Sequence, residues 1–213
     1  MRGSRRPARC LVVRLARVYC AVMFSRLLTV TFDAHDATRL ARFWAGMLGR
    51  GVVEDADGAL LPGDDTQLSL RFVPSRTETV GSNRMHLHLT SASRADQERM
   101  VATALGLGAG HVDVGQRPEE GHIVLADPEG NEFCVIEPGN AFLAGCGLLG
   151  ELACDGTREV GLFWSEALGW PLVWDQDQDR GPVTVRRHEG RVGRPTRGPE
   201  GGVEPAALRT RPG

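Results

Sequence analysis

The chain has no lysine: all 25 of its basic residues are arginine. Guanidinium groups suit bidentate anion contacts, but total replacement of Lys by Arg reads as GC-rich coding and not as function. Paired cysteines are missing too. Cys10, Cys20, Cys134, Cys146 and Cys154 form no CxxC and follow no regular spacing, so there is no disulfide framework and the expected setting is reduced and cytoplasmic. Apolar runs are broken by Arg or Gly well short of the roughly 20 residues that span a bilayer. The chain shows no Ser/His/Asp pattern and no phosphate-binding glycine loop. A net charge of -2 removes any general attraction to nucleic acid or acidic lipid.

What is present is a core and a repeat. With 213 residues, 41% of them hydrophobic, the chain can build one or two domains. Phe43-Trp44-Ala45-Gly46-Met47-Leu48-Gly49 returns without a gap as Phe163-Trp164-Ser165-Glu166-Ala167-Leu168-Gly169, 120 positions later. A repeat at fixed offset means one supersecondary unit used more than once.

The unit can be read residue by residue. Leu27 to Phe32 is β-prone. Asp36 is placed to cap a helix whose apolar face is Leu40, Phe43, Trp44, Met47 and Leu48, ending at Gly49. Short strands follow at Val52-Val53, Ala59 to Leu61 and Gln67 to Val73, separated by turn sequences. The pattern restarts with the strand Met85 to Thr90 and the helix Arg94 to Leu105, whose inward residues are expected to be Met100, Val101, Ala104 and Leu105. A strand His111 to Val114 and a hairpin of His122 to Leu125 with Glu132 to Ile136 complete the second βαβββ module. A third opens at Leu148 to Cys154, continues through the helix Arg158 to Leu168 and reaches Leu172-Val173-Trp174.

These residues resemble the vicinal oxygen chelate superfamily, which groups glyoxalases, bleomycin-resistance proteins and extradiol dioxygenases, and within it the bacterial glyoxalase-like members. The resemblance is carried by Asp36 to Trp44 with Leu48-Gly49, by His86-Leu87-His88-Leu89, by Asp127-Pro128-Glu129-Gly130-Asn131-Glu132-Phe133-Cys134, and by Phe163-Trp164 with Leu168-Gly169-Trp170. It implies an α+β fold in which paired βαβββ modules form a curved mixed sheet, a cup for a small molecule, with an incomplete third module and disordered ends. The expected divisions are an Arg-rich extension over 1–26, a complete domain over 27–138 with modules 27–74 and 84–138, a truncated second domain over 139–178, and a disordered tail over 179–213.

The family's metal ligands are His or Gln on the first strand and Glu on the last strand of a module. In module one those positions fall near Thr29 and near Leu70 or Arg71, and neither Thr nor Leu is a plausible ligand. In module two they fall on His86, with His88 on the same strand face, and on Cys134. Two imidazoles and a thiol can hold zinc with one position open; Glu132 shares the face of Cys134 and is a further candidate ligand or base. Arg71, alternating with Ser69 and Val73, can face the cup and pair a substrate carboxylate. Trp44, Phe43, Trp164, Phe163 and Trp170 are expected to pack helix onto sheet. The ligand-binding candidates are therefore His86, His88, Arg71 and Cys134, and the metal candidates His86, His88 and Cys134.

The favoured function is small-molecule binding in the cup without an intact metal site and with no required cofactor. The alternatives are a divalent-metal-dependent lyase, isomerase or dioxygenase, and a truncated, non-functional product. A small-molecule ligand is the expected partner, a homodimer is compatible, and neither nucleic acid nor membrane is expected.

The two ends depart from the middle in composition. Before Asp33 there are seven arginines and no acid; this suits an over-extended reading frame with Met23 as start better than a transit peptide or a disordered arm. Asp179 to Gly213 holds eight arginines among many Gly and Pro and reads as disorder, or as a frameshifted version of a sequence that once completed the third module. Sequencing the DNA around codon 178 checks the last idea: the shifted frame is expected to encode strand, turn and strand, and an early stop there rejects it.

Overall fold

The computed structural model describes residues 12–16, 26–64, 67–77, 85–117, 119–155, 157–170, 172–175 and 182–185. Most of the two composition-biased ends, with Cys10 and Cys20, lies outside the described residues. Among the described residues, two open mixed sheets and three α-helices make an α+β architecture. Among the described residues no helix is long and apolar enough to cross a membrane.

Module one runs β2 (Arg26–Ala34), α1 (Ala37–Leu48), β3 (Val53–Asp55), β4 (Gly58–Leu61) and β5 (Ser69–Pro74). β2 and β5 pair in parallel, and β5, β4 and β3 continue as an antiparallel meander. The edge of β2 would otherwise expose a row of unpaired backbone groups. It is covered by β1 (Val12–Ala16), antiparallel to it. Within the extension 1–26, this segment is a strand: an open edge gives a β-prone stretch somewhere to bind.

Module two runs β6 (Met85–Leu89), α2 (Arg94–Gly106), β7 (Gly110–His111), β8 (Ile123–Ala126) and β9 (Glu132–Val135). Module three contributes β10 (Leu149–Asp155), α3 (Arg158–Leu168), β11 (Leu172–Asp175) and β12 (Pro182–Val185). β10 pairs antiparallel with β6, so modules two and three share one seven-stranded sheet of order β11-β12-β10-β6-β9-β8-β7. The first strand of the third module thus joins module two, and past Trp174 the strand Pro182–Val185 bridges β10 and β11. β-branched Val183, Thr184 and Val185 suit a pleated surface, and the neighbouring strands supply the pairing that composition cannot reveal.

Helix α1 is seated between the sheets. Asp36 accepts a hydrogen bond from the Arg39 N–H at 2.9 Å, and Gly49 ends the helix with φ of 63°, a conformation that favours glycine. Trp44 lies 6.4 Å from Phe32 of β2 and 5.1 Å from Phe133 of β9, ring centre to ring centre. Its Nε1–H donates to Asp127 Oδ2 at 3.1 Å. The turn between β8 and β9 thus grips the helix, and Glu129 from the same turn accepts from the His35 and Asp36 N–H groups at 2.9 and 3.0 Å. Helix α2 departs from its expected face. Gln97, Met100 and Ala104 are buried while Leu105 is exposed, because Gln97 Nε2 reaches the Gly121 and Val135 carbonyls and sets the helix rotation.

The repeated motif has two fates. Phe43 is 2% exposed and Phe163 is 59% exposed, although each keeps its edge-to-face contact with the following Trp, at 5.4 and 5.2 Å. Phe43 also meets Phe133 of module two, ring centre to ring centre at 5.9 Å, and is covered by it. Phe43→Ala is therefore expected to destabilise by about 3–5 kcal/mol and Phe163→Ala by less than about 1 kcal/mol, as read by denaturant unfolding; equal costs would contradict this packing.

Candidate functional site

The face of the seven-stranded sheet opposite the main core carries the polar cluster. On β6, Leu87 and Leu89 point into the core at 1% and 0% exposure, so alternation sends His86 and His88 to the opposite face. Register then builds a row across four strands. Val124 of β8 lies beside Cys134 of β9, Cys134 beside His88 of β6, and His88 beside Glu151 of β10. The donor atoms of His86, His88 and Cys134 lie within 4.8 Å of one another, and the two imidazole rings are 4.9 Å apart. The structure thus brings together the three metal candidates.

Glu151 was not visible in the sequence as a site residue. Its Oε1 lies 2.5 Å from His88 Nδ1, with the two side chains 7% and 16% exposed. The signal for it was an acid on the first strand of the third module, which matters only once that strand joins β6. Glu151 also lines a cavity of about 20 Å³, room for one water.

Electrostatics divide the two histidines. Burial, reinforced by the neighbouring His88 and His122, pulls His86 down to about 4. For His88, burial acts in the same direction, but Cys134 and Glu151 on its two sides outweigh it and raise it to about 9. Near neutral pH His86 is thus uncharged, and His88 holds a proton that a cation could replace. His86 Nδ1, His88 Nε2 and Glu151 Oε2 are buried without a hydrogen-bond partner. Buried polar atoms usually find one, so three orphans in one cluster mark a place built for a further group.

The donor set fits a divalent metal. Cys134 is a free, buried thiol, and with two imidazole nitrogens it makes the soft S/N set that zinc-like ions prefer. Glu132, two residues before Cys134 on β9, is not among the clustered atoms. In module one, Thr29 donates its hydroxyl proton to the Ser69 carbonyl at 3.1 Å and Leu70 is fully buried, so neither is a ligand.

Arg71 is placed elsewhere. It lies on β5 of the five-stranded sheet, where its guanidinium donates to both Asp55 oxygens at 2.9 and 2.6 Å. That fork–fork pair occupies the group expected to receive a substrate carboxylate.

A chain of repeated βαβββ modules with a His/His/Cys cluster on one sheet face is a glyoxalase-like protein by architecture. The model of the glyoxalase-like domain family matches residues 29–136, just over half of the chain; the chain belongs to that family, within the vicinal oxygen chelate superfamily. No curated relative matches its sequence. Similar solved structures include a glyoxalase/bleomycin resistance protein/dioxygenase family enzyme from Burkholderia phytofirmans PsJN, 18% identical with a TM-score of 0.42, over 50% of this chain and 94% of that one. Oxidase ChaP-H1 is 17% identical with a TM-score of 0.42, over 55% and 98%. Lactoylglutathione lyase from Agrobacterium tumefaciens is 17% identical with a TM-score of 0.38, over 52% and 92%.

The Arg71–Asp55 pair holds the Asp55 carboxyl down at about 2, chiefly through the Arg71 hydrogen bond. In Arg71→Ala, NMR titration is expected to show Asp55 returning toward its ordinary 3.8, with metal binding at the His86 cluster unchanged; lost metal binding would show Arg71 to be part of the site.

Proposed function

We propose that this glyoxalase-like protein holds a divalent metal through His86, His88 and Cys134 and binds an oxygen-bearing small molecule beside it, on the face shared by modules two and three. One observation carries this reading: His86, His88 and Cys134 each offer a ligand atom within 4.8 Å of the others, and each of the two imidazoles has a nitrogen buried without a partner. The sequence favoured a cup without a metal because only half of the family's ligand pattern is present. The geometry favours the metal, because the half that is present is gathered in one place.

When bound, the metal would supply Lewis-acid polarisation of a substrate oxygen. The chain's own residues supply the rest. His86 offers a neutral nitrogen, and Cys134 a thiol that becomes the thiolate ligand on losing its proton. The apolar neighbours Val124, Ile136 and Leu143 pack about Cys134 and keep water from that side. This reading places the chain with metal-dependent lyases, isomerases or dioxygenases of its superfamily; the reaction within that group would depend on the substrate.

Purified protein is expected to bind one cobalt or zinc ion per chain, and the cobalt form to show thiolate-to-metal absorption. His86→Ala or Cys134→Ser should each lower affinity by at least about tenfold. A chain that binds neither ion returns the reading to a metal-free cup.

A further inference from the structure

We propose that Glu151, supplied by module three, is the positioning residue of this centre: it accepts the His88 Nδ1 proton and thereby aims His88 Nε2 at the metal. The inference rests on the metal reading above.

Three observations place the carboxylate there by construction. The first is the strand itself. Leu149 and Leu152 both belong to the core, at 7% and 6% exposure, yet they are three residues apart, which a strand of period two does not allow. The register with β6 shifts between Leu149 and Glu151, a one-residue bulge at Gly150. Bulges re-aim side chains, and this one lets both leucines face inward while Glu151 turns to the face that carries His88.

The second is the fit at the bulge. A Cβ on Gly150 would stand 2.7 Å from Thr90 Cγ2, so β10 lies too close to the end of β6 for a larger residue unless Thr90 moves. Thr90 is itself held, its N–H donating to the Leu148 carbonyl and its hydroxyl to the Gly147 carbonyl at 2.9 and 3.0 Å.

The third is the division of the imidazole. Nδ1 is taken by Glu151 at 2.5 Å and Nε2 is the orphan. An imidazole that ligates through one nitrogen needs the other held by an acceptor, which sets tautomer and ring orientation. Because Oε1 is engaged at Nδ1 and Glu151 is not among the clustered ligand atoms of His86, His88 and Cys134, the carboxylate orients His88 and is not a ligand in its place.

The test is cobalt binding by the full chain as wild type, Glu151→Gln and Glu151→Ala, followed by the absorption spectrum and by NMR of the His88 ring nitrogens. Both variants are expected to lose about 10–100-fold in cobalt affinity, with Glu151→Gln retaining more because its amide oxygen still accepts from Nδ1–H. Both should also show an altered cobalt spectrum and a weakened preference for metal at Nε2. If Glu151→Ala fails to fold, Glu151→Gln decides. Wild-type affinity and spectrum in Glu151→Gln and Glu151→Ala overturn the positioning role and leave the metal centre standing. A wild-type chain that takes up no cobalt removes the centre and the inference together.

Discussion

The seating of α1 between the two sheets is the contact on which the rest of the structure depends. A buried carboxylate is costly unless its oxygens are satisfied. Burial does push the Asp127 carboxyl up, while hydrogen bonds from Asn131, the Glu129 N–H and Trp44 work against that shift. Oδ1 receives the Glu129 and Asn131 N–H groups and the Asn131 amide, each at 3.0 Å, and Oδ2 receives the indole. Gly130 takes φ of 84° to let the turn close. These bonds shape the β8–β9 hairpin, and its Asp127 and Glu129 bind module one to module two.

The site follows from that arrangement. The hairpin sets β9, β9 pairs in parallel with β6, and β10 adds to the other edge of β6, so that Cys134, His88 and Glu151 come into one row. Module one works as a support. Its Thr29 and Thr31 stand on β2 as His86 and His88 stand on β6, the same distance before the helix N-caps Asp36 and Ser93. Hydroxyls there make poor ligands, although Thr31 Oγ1 is likewise buried without a partner.

Local chemistry was readable wherever it was decided locally. The Asp36 cap, the Gly49 and Gly169 helix ends and the His-x-His alternation all depend on residues within one turn or one strand, and they appear as read. The departures involve partners far along the chain. Leu105 has the right spacing for a core residue, but Gln97 sets the helix rotation through the carbonyls of Gly121 and of Val135 on β9. Arg71 has the right alternation for a cup residue, but Asp55 on β3 claims it across the meander. Val12–Ala16 and Pro182–Val185 are strands because an edge was waiting for them.

By itself the sequence determined the module, its repetition and which histidines share a face, since periodicity and capping act over a few residues. The tertiary structure alone decided which modules share a sheet. That choice left Phe163 bare where Phe43 is covered, and it brought Glu151 to His88 across a bulge that disrupts the alternation a sequence reader relies on. The physical reason is the same in both cases: pairing across strands and packing between modules are set by shape and hydrogen bonding at long range, which no local pattern encodes.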